Sequence, residues 1–310
     1  MFKPLILSFI TFSIFCHAEA QNTNHRYKDL IFSDVILNKD LSYVANAAKK
    51  DKKSYLFDLY QPKGDTVKNR PLIIWMHGGG LKFGTKAAKG IQLWSSTFAL
   101  RGYVCAAINY RLSKKDPLFN FDELLKASYY AVQDAKAAVL YFKEHYKEYG
   151  INPDKIILAG NSAGGIIALQ TAYSTNMDLA AIAKLPDTVT GAKEKELFKV
   201  SAVINLWGGI FDLRWMKNAH VPVVNILGST DGVVPPTHKS APLYGGADIH
   251  SEADALHIPN KLKIFEGYSH ELEKHFNPFF AAGKATRKRW LEAGQFAADF
   301  LYNTMLKQSD

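Results

Sequence analysis

From Pro71 onward the chain alternates short, wholly apolar runs with longer segments whose apolar residues return every three or four positions. Runs such as Leu72-Ile73-Ile74-Trp75-Met76 have no polar face and read as strands buried on both sides, while the longer segments read as amphipathic helices. The pattern predicts strands at 71–77, 103–109, 155–160, 199–207, 221–227 and 261–266, and helices near 90–101, 120–149, 162–174 and 284–306. The 120–149 helix shows the period best. Phe121, Leu124, Leu125, Val132, Ala135, Val139 and Phe142 fall on one face, Lys126, Gln133, Lys143 and Lys147 on the other, and Gly150 ends it. Strands alternating with helices give a mostly parallel α/β sheet covered on both faces. Ahead of it, strands around 30–37 and 55–60 are expected to form an antiparallel edge hairpin, since Ser54 to Tyr60 alternates polar and apolar residues. Two stretches, 175–198 and 234–258, fit the alternation poorly and are candidate lid or substrate-wall segments, or ordinary surface excursions.

The 155–160 strand runs straight into Gly160-Asn161-Ser162-Ala163-Gly164, and the next residues continue as a helix. A serine between two glycines at a strand-to-helix turn places a hydroxyl at the tip, with the glycines allowing strand and helix to pass closely. A G-x-S-x-G arises by chance in roughly 0.08 of chains of this composition, so context has to carry the reading. The context is His77-Gly78-Gly79-Gly80 at the end of the 71–77 strand. That tetrapeptide is expected only about 0.003 times by chance, and its backbone N–H groups are free to hold an anionic oxygen.

Ser162 as a nucleophile needs a histidine to take its proton and a carboxylate to orient that histidine. His270 follows the 261–266 strand directly, in Gly267-Tyr268-Ser269-His270, and is favoured over His275 a turn further on. Asp231, in Gly228-Ser229-Thr230-Asp231-Gly232 after the 221–227 strand, is the natural orienter, with Asp212 the runner-up.

Composition changes the picture at the N-terminus. Lys3, the apolar stretch Leu5–Phe15 and Ala18-Glu19-Ala20 read as a removable signal peptide over residues 1–20, followed by a single domain over 21–310. The expected location is secreted or periplasmic, with no stable membrane insertion, because the apolar stretch is shorter than the ~20 residues of a span. Cys105 is then the one cysteine left, read as a buried strand residue. The ten histidines are scattered without ligand spacing, so neither a metal nor another cofactor is expected. A net charge of +9 is read as solvated lysines and arginines, including Arg287-Lys288-Arg289, and no nucleic-acid partner is expected.

The order Ser162, Asp231, His270, together with His77–Gly80 and Asn109-Tyr110-Arg111-Leu112, resembles the α/β-hydrolase fold. Within it the chain is similar to the bacterial carboxylesterases of the hormone-sensitive-lipase-like group, over about residues 50 to 306. The resemblance implies an oxyanion hole from the N–H groups of Gly79, Gly80 and Ala163, a structural His77, and a scaffold pair between Arg111 and Asp134. That group often has aspartate where this chain has Asn161. The function expected is an exported serine carboxylesterase acting on short-chain or carbohydrate-linked acetyl or feruloyl esters. An exported serine peptidase of prolyl-oligopeptidase type and a non-catalytic binding protein are the alternatives. Leu81, Phe83 and Trp207 are candidates for the acyl pocket and fit the core equally well.

Overall fold

The apolar runs become the middle of one eight-stranded sheet. The computed structural model describes residues 25–45, 48, 51–186, 198–238, 242–277 and 282–307; the predicted signal peptide lies outside the described residues. The strands are β1 (Val35–Ser42), β2 (Leu56–Pro62), β3 (Arg70–Met76), β4 (Val104–Ile108), β5 (Ile151–Asn161), β6 (Ala202–Leu206), β7 (Val223–Gly228) and β8 (Asn260–Phe265), arranged in the order β1-β2-β4-β3-β5-β6-β7-β8. β2 runs antiparallel to β1 and β4, and the remaining pairings are parallel. This is the α/β-hydrolase arrangement.

Every residue of β3, β4, β6 and β7 is buried, which is why these strands carry no alternation. Their side chains still divide between two layers by the strand's period of two. Leu72, Ile74 and Met76 pack with helices α2 (Phe121–Glu144), α4 (Ala163–Tyr173), α5 (Asn176–Ala183) and α6 (Gly246–Ala255). Ile73 and Trp75 face α1 (Lys89–Ala99) and α7 (Lys284–Leu301) on the other side. The short helix α3 (Tyr146–Tyr149) follows α2, and Gly150 closes it at φ 61°.

Boundaries differ from the sequence expectation where burial gives no signal. The first strand was expected at 30–37 and lies at Val35–Ser42, because β1 is a solvent-exposed edge with no continuous apolar face. A register shift between Asn38 and Leu41, with Asp40 at φ 59°, lets it carry polar residues in its middle. The 120–149 helix is split at His145, and the last helix ends at Leu301 before a π-helical turn over Tyr302–Leu306. The 175–198 stretch begins as α5, which is held by a capping box between Thr175 and Asp178 and packs on α2; residues 187–197 lie outside the described residues. Within the 234–258 stretch, α6 packs on β7 and β8.

The carboxyl ends of β3 and β5 lie side by side while the chain leaves β3 toward β4 in the opposite direction. Such a reversal is where open α/β sheets place a ligand crevice. β6, β7 and β8 end at the same edge.

Candidate active site

β5 becomes α4 across one residue. Ser162 sits between Asn161, the last residue of β5, and Ala163, the first of α4, at φ 52° and ψ −119°. A non-glycine residue holds such a conformation at a cost of order 1–3 kcal/mol and only where its surroundings enforce it. Here the Ser162 N–H donates to the Leu206 carbonyl at 2.9 Å, and the Ile166 N–H donates to the Ser162 carbonyl at 3.0 Å. The glycines are required by backbone contact. A Cβ on Gly160 would lie 2.3 Å from the Gly164 carbonyl carbon, and one on Gly164 would lie 2.0 Å from the Met76 carbonyl oxygen.

His270 Nε2 lies 2.8 Å from Ser162 Oγ, and His270 Nδ1 lies 2.7 Å from Asp231 Oδ2. The other carboxylate oxygen of Asp231 accepts the N–H groups of Val233 at 2.8 Å and Val234 at 3.0 Å, which aims Oδ2 at the ring. The two loops are laced together. The Thr230 N–H donates to the Tyr268 carbonyl at 2.9 Å, and the Gly267 N–H donates to Ser229 Oγ at 2.9 Å. Gly228 permits this approach, since a Cβ there would meet the Tyr268 carbonyl oxygen at 2.2 Å. Asp231 and His270 are both buried, with the Phe276 ring edge-on to the imidazole at 4.9 Å, so their bonds act in a low-dielectric setting.

The glycine run leaves β3 beside this turn. The Gly78 N–H donates to Asn161 Oδ1 at 3.1 Å, and a Cβ on Gly78 would lie 3.3 Å from Ser162 Cβ. Gly79 and Gly80 follow at φ 110° and 60°, conformations that favour glycine. Ala163 is the first residue of α4, where backbone N–H groups have no intrahelical acceptor and the helix dipole favours negative charge. His77 is part of the scaffold. Its ring stacks on Tyr110 at 4.3 Å, its Nδ1–H donates to the Gly78 carbonyl at 2.8 Å, and the Tyr110 hydroxyl donates to the His77 carbonyl at 2.7 Å. Burial pushes the His77 pKa down to about 4, so the ring stays neutral at pH 7.

A BD-FAE family model matches residues 57–242, more than half of the chain. The chain belongs to the BD-FAE family. Among its relatives are a probable carboxylic ester hydrolase, LipM, of Mycobacterium tuberculosis, 26% identical over 194 residues, and para-nitrobenzyl esterase of Bacillus subtilis, 24% identical over 201 residues. The alignments cover 63% and 64% of this chain but only 39% and 36% of those relatives' lengths. Among solved structures, esterase 2 of Thermogutta terrifontis phosphoramylated by tabun aligns over 88% of this chain and 97% of its own, with a TM-score of 0.60 and 20% identity. That likeness supports the shared fold.

Elsewhere in this BD-FAE chain, Arg111 and Asp134 form the expected scaffold pair. The carboxylate accepts the Arg111 backbone N–H at 2.8 Å and the guanidinium at 2.7 Å. Asp212 is engaged by Arg214 at 2.5 Å and caps a short 3-10 turn, and His275 is exposed. Of the three acyl-pocket candidates, Leu81 and Trp207 lie within the packed core, and Phe83 is 61% exposed. The sequence reading did not single out Leu118, whose side chain fills the space beside Gly80: a Cβ there would lie 2.1 Å from Leu118 Cδ2. With Phe119 and Phe121 it forms an exposed apolar rim, and the Phe121 ring meets Phe211 at 6.3 Å. The one available signal was the apolar residues just ahead of the α2 N-cap, Asn120. Among the described residues no cluster of three or more His, Cys, Asp or Glu could hold a metal ion. No described helix is long and apolar enough to cross a membrane.

Proposed function

We propose that the chain is an exported serine carboxylesterase that works through Ser162, His270 and Asp231 and an acyl-enzyme intermediate. The hydrogen-bond chain from Ser162 Oγ through His270 to Asp231, mounted on a serine at φ 52°, carries the reading. Ser162 Oγ attacks the ester carbonyl carbon and its proton passes to His270 Nε2. Asp231 holds the Nδ1–H and stabilises the imidazolium. The oxyanion accepts hydrogen bonds from the N–H groups of Gly79, Gly80 and Ala163, each worth about 2 to 4 kcal/mol of transition-state stabilisation. His270 then protonates the departing alcohol, and water repeats the sequence to release the acid. His270 has to begin neutral in order to take the proton of Ser162.

The substrates proposed are short-chain esters, or acetyl and feruloyl groups on polysaccharide, with the exposed Phe83 as an apolar wall for the substrate. The esterase names of the relatives support the ester class. Export rests on the character of residues 1–20. The test is a panel of aryl esters of increasing acyl length, with acetylated xylan and methyl ferulate, on wild type and Ser162→Ala. Paraoxon labelling followed by intact mass accompanies it, since the Thermogutta esterase 2 is known phosphorylated by paraoxon. Wild type is expected to hydrolyse and to gain one adduct and Ser162→Ala to do neither; equal hydrolysis by both proteins removes Ser162 from the mechanism.

A further inference from the structure

The histidine loop is held in a conformation that it would not keep unaided. Glu271 and Leu272, the two residues after His270, lie at φ 56° and 58°, successive left-handed positions with no glycine. Within the loop, the Ser269 N–H donates to the Glu273 carbonyl at 2.6 Å, the Leu272 N–H to the Ser269 carbonyl at 3.1 Å and the Glu273 N–H to the His270 carbonyl at 3.2 Å. These bonds close the turn on itself and do not orient it toward Ser162. Beyond the contacts with the Asp231 loop, α7 holds the turn from outside. The Trp290 indole N–H donates to the Glu271 carbonyl at 2.7 Å, and Arg289 Nε–H donates to the Leu272 carbonyl at 2.7 Å. The Arg289 guanidinium also lies 4.1 Å over the Tyr268 ring, so α7 grips the loop on both sides of His270.

We propose that Trp290 and Arg289 are positioning residues, clamping the left-handed pair Glu271–Leu272 so that His270 Nε2 stays within reach of Ser162 Oγ. The inference rests on the reading of Ser162, His270 and Asp231 as the reacting groups. The clamp has a firm base. Trp94 Nε1–H donates to the Trp290 carbonyl at 2.9 Å, and Trp94 stacks on Trp75 of β3 at 5.6 Å. Trp75 precedes His77 by two residues and the glycine run by three, so one aromatic column supports both the histidine loop and the strand that presents Gly79 and Gly80. In the basic triplet Arg287-Lys288-Arg289, the first two side chains are exposed while Arg289 turns inward, and only the third has a partner in the site.

The test uses Trp290→Phe, which keeps an aromatic ring in the column but removes the indole N–H and part of the indole's volume, and Arg289→Gln, which leaves the column intact. Each is expected to lower kcat by about tenfold or more with KM changed by less than about twofold, because the substrate wall is untouched and only the His270–Ser162 geometry suffers. A general loss of packing would lower the amount of active enzyme, so turnover is referred to sites titrated with paraoxon. Glycine carries no Cβ penalty in the left-handed region, so adding Glu271→Gly to Trp290→Phe is expected to restore most of the lost kcat. Wild-type kcat in Trp290→Phe, with Ser162→Ala inactive, overturns the clamp and leaves the esterase reading standing. An active Ser162→Ala overturns that reading instead. If Trp290→Phe does not fold by circular dichroism, Arg289→Gln decides: a tenfold loss supports the clamp and wild-type turnover overturns it. Failure of Glu271→Gly to rescue overturns the strain-based account.

Discussion

Replacing His77 with glutamine should remove one source of the acid sensitivity of the fold. His77 is 1% exposed, stacked on Tyr110 and hydrogen-bonded through Nδ1–H to the Gly78 carbonyl. Burial opposes its charged form, outweighing that hydrogen bond, and lowers its pKa from 6.5 to about 4. Between those values the unfolded chain binds a proton that the folded chain refuses, so stability falls as pH falls. The contribution is fully present above about pH 6.5 and is lost progressively as pH drops to about 4. The gap corresponds to about 3 kcal/mol, of which about 2 kcal/mol is gone by pH 5. Urea unfolding of wild type and His77→Gln, followed by tryptophan fluorescence at pH 7.5, 6.5, 5.5 and 5, measures this directly, because titrations common to both proteins cancel in the difference. The stability advantage of wild type is expected to shrink by about 2 kcal/mol across the series. A difference that stays constant with pH would refute the burial argument. Since His77 adjoins Gly78, the same protonation would loosen the glycine run.

Three further outcomes follow from contacts around the serine turn and the core. Asn161→Ala strips the Gly78 N–H of its acceptor and should lower kcat by about tenfold to a hundredfold, while Asn161→Asp keeps an acceptor oxygen and should stay within a few-fold of wild type; steady-state kinetics on one aryl ester checks both. Gly164→Ala would place a methyl 2.0 Å from the Met76 carbonyl oxygen, and as neither backbone can yield cheaply, a loss of about 3 kcal/mol in urea unfolding is expected. Cys105 is fully buried and its thiol is pushed well above the usual range by that burial, so a thiol reagent should leave Cys105 unmodified in the native protein and modify it in urea, as peptide mass mapping would show.

The parts of the fold legible in the sequence were those where burial is complete. β3, β4, β6 and β7 are apolar throughout because helices cover both faces, and no competing element explains such runs. β1 was displaced by five residues because an exposed edge strand has no reason to be apolar. α5 and α6 were hidden for a different reason: each is short and is fixed at its start by local hydrogen bonds rather than by an apolar period, α5 by the Thr175–Asp178 capping box and α6 by the Gly245 N–H donating to the Asp248 carboxylate at 3.2 Å. At the site, Ser162, Asp231 and His270 could be found because each follows a parallel strand, and parallel strands end at one edge. What holds them could not be found so easily. The Val233 and Val234 amides on Asp231, the Asn161 oxygen on Gly78 and the inward turn of Arg289 all depend on loop conformations with no periodic signature.

The backbone strain has a distribution that links these observations. Ten described non-glycine residues have positive φ, and five of them, Leu81, Ser162, Trp207, Glu271 and Leu272, follow the carboxyl ends of β3, β5, β6 and β8. Asp40, Asn69 and His257 are residue types that tolerate this region in turns, whereas bulky Leu81, Trp207 and Leu272 are not, and those three are buried. Buried strain needs a rigid frame. The frame here is the pair of packed layers, with the Trp75–Trp94 stack on one side and the Gly160–Gly164 backbone contact on the other. Each strained residue turns the chain as it leaves the sheet, so the loops after β3, β5, β6 and β8 begin at one edge, where His270 reaches Ser162 Oγ. A relaxed turn at any of these positions would carry its loop outward into solvent. The stability spent on the turns is therefore what assembles the site, and variants that relieve strain without replacing its support should gain stability and lose turnover together.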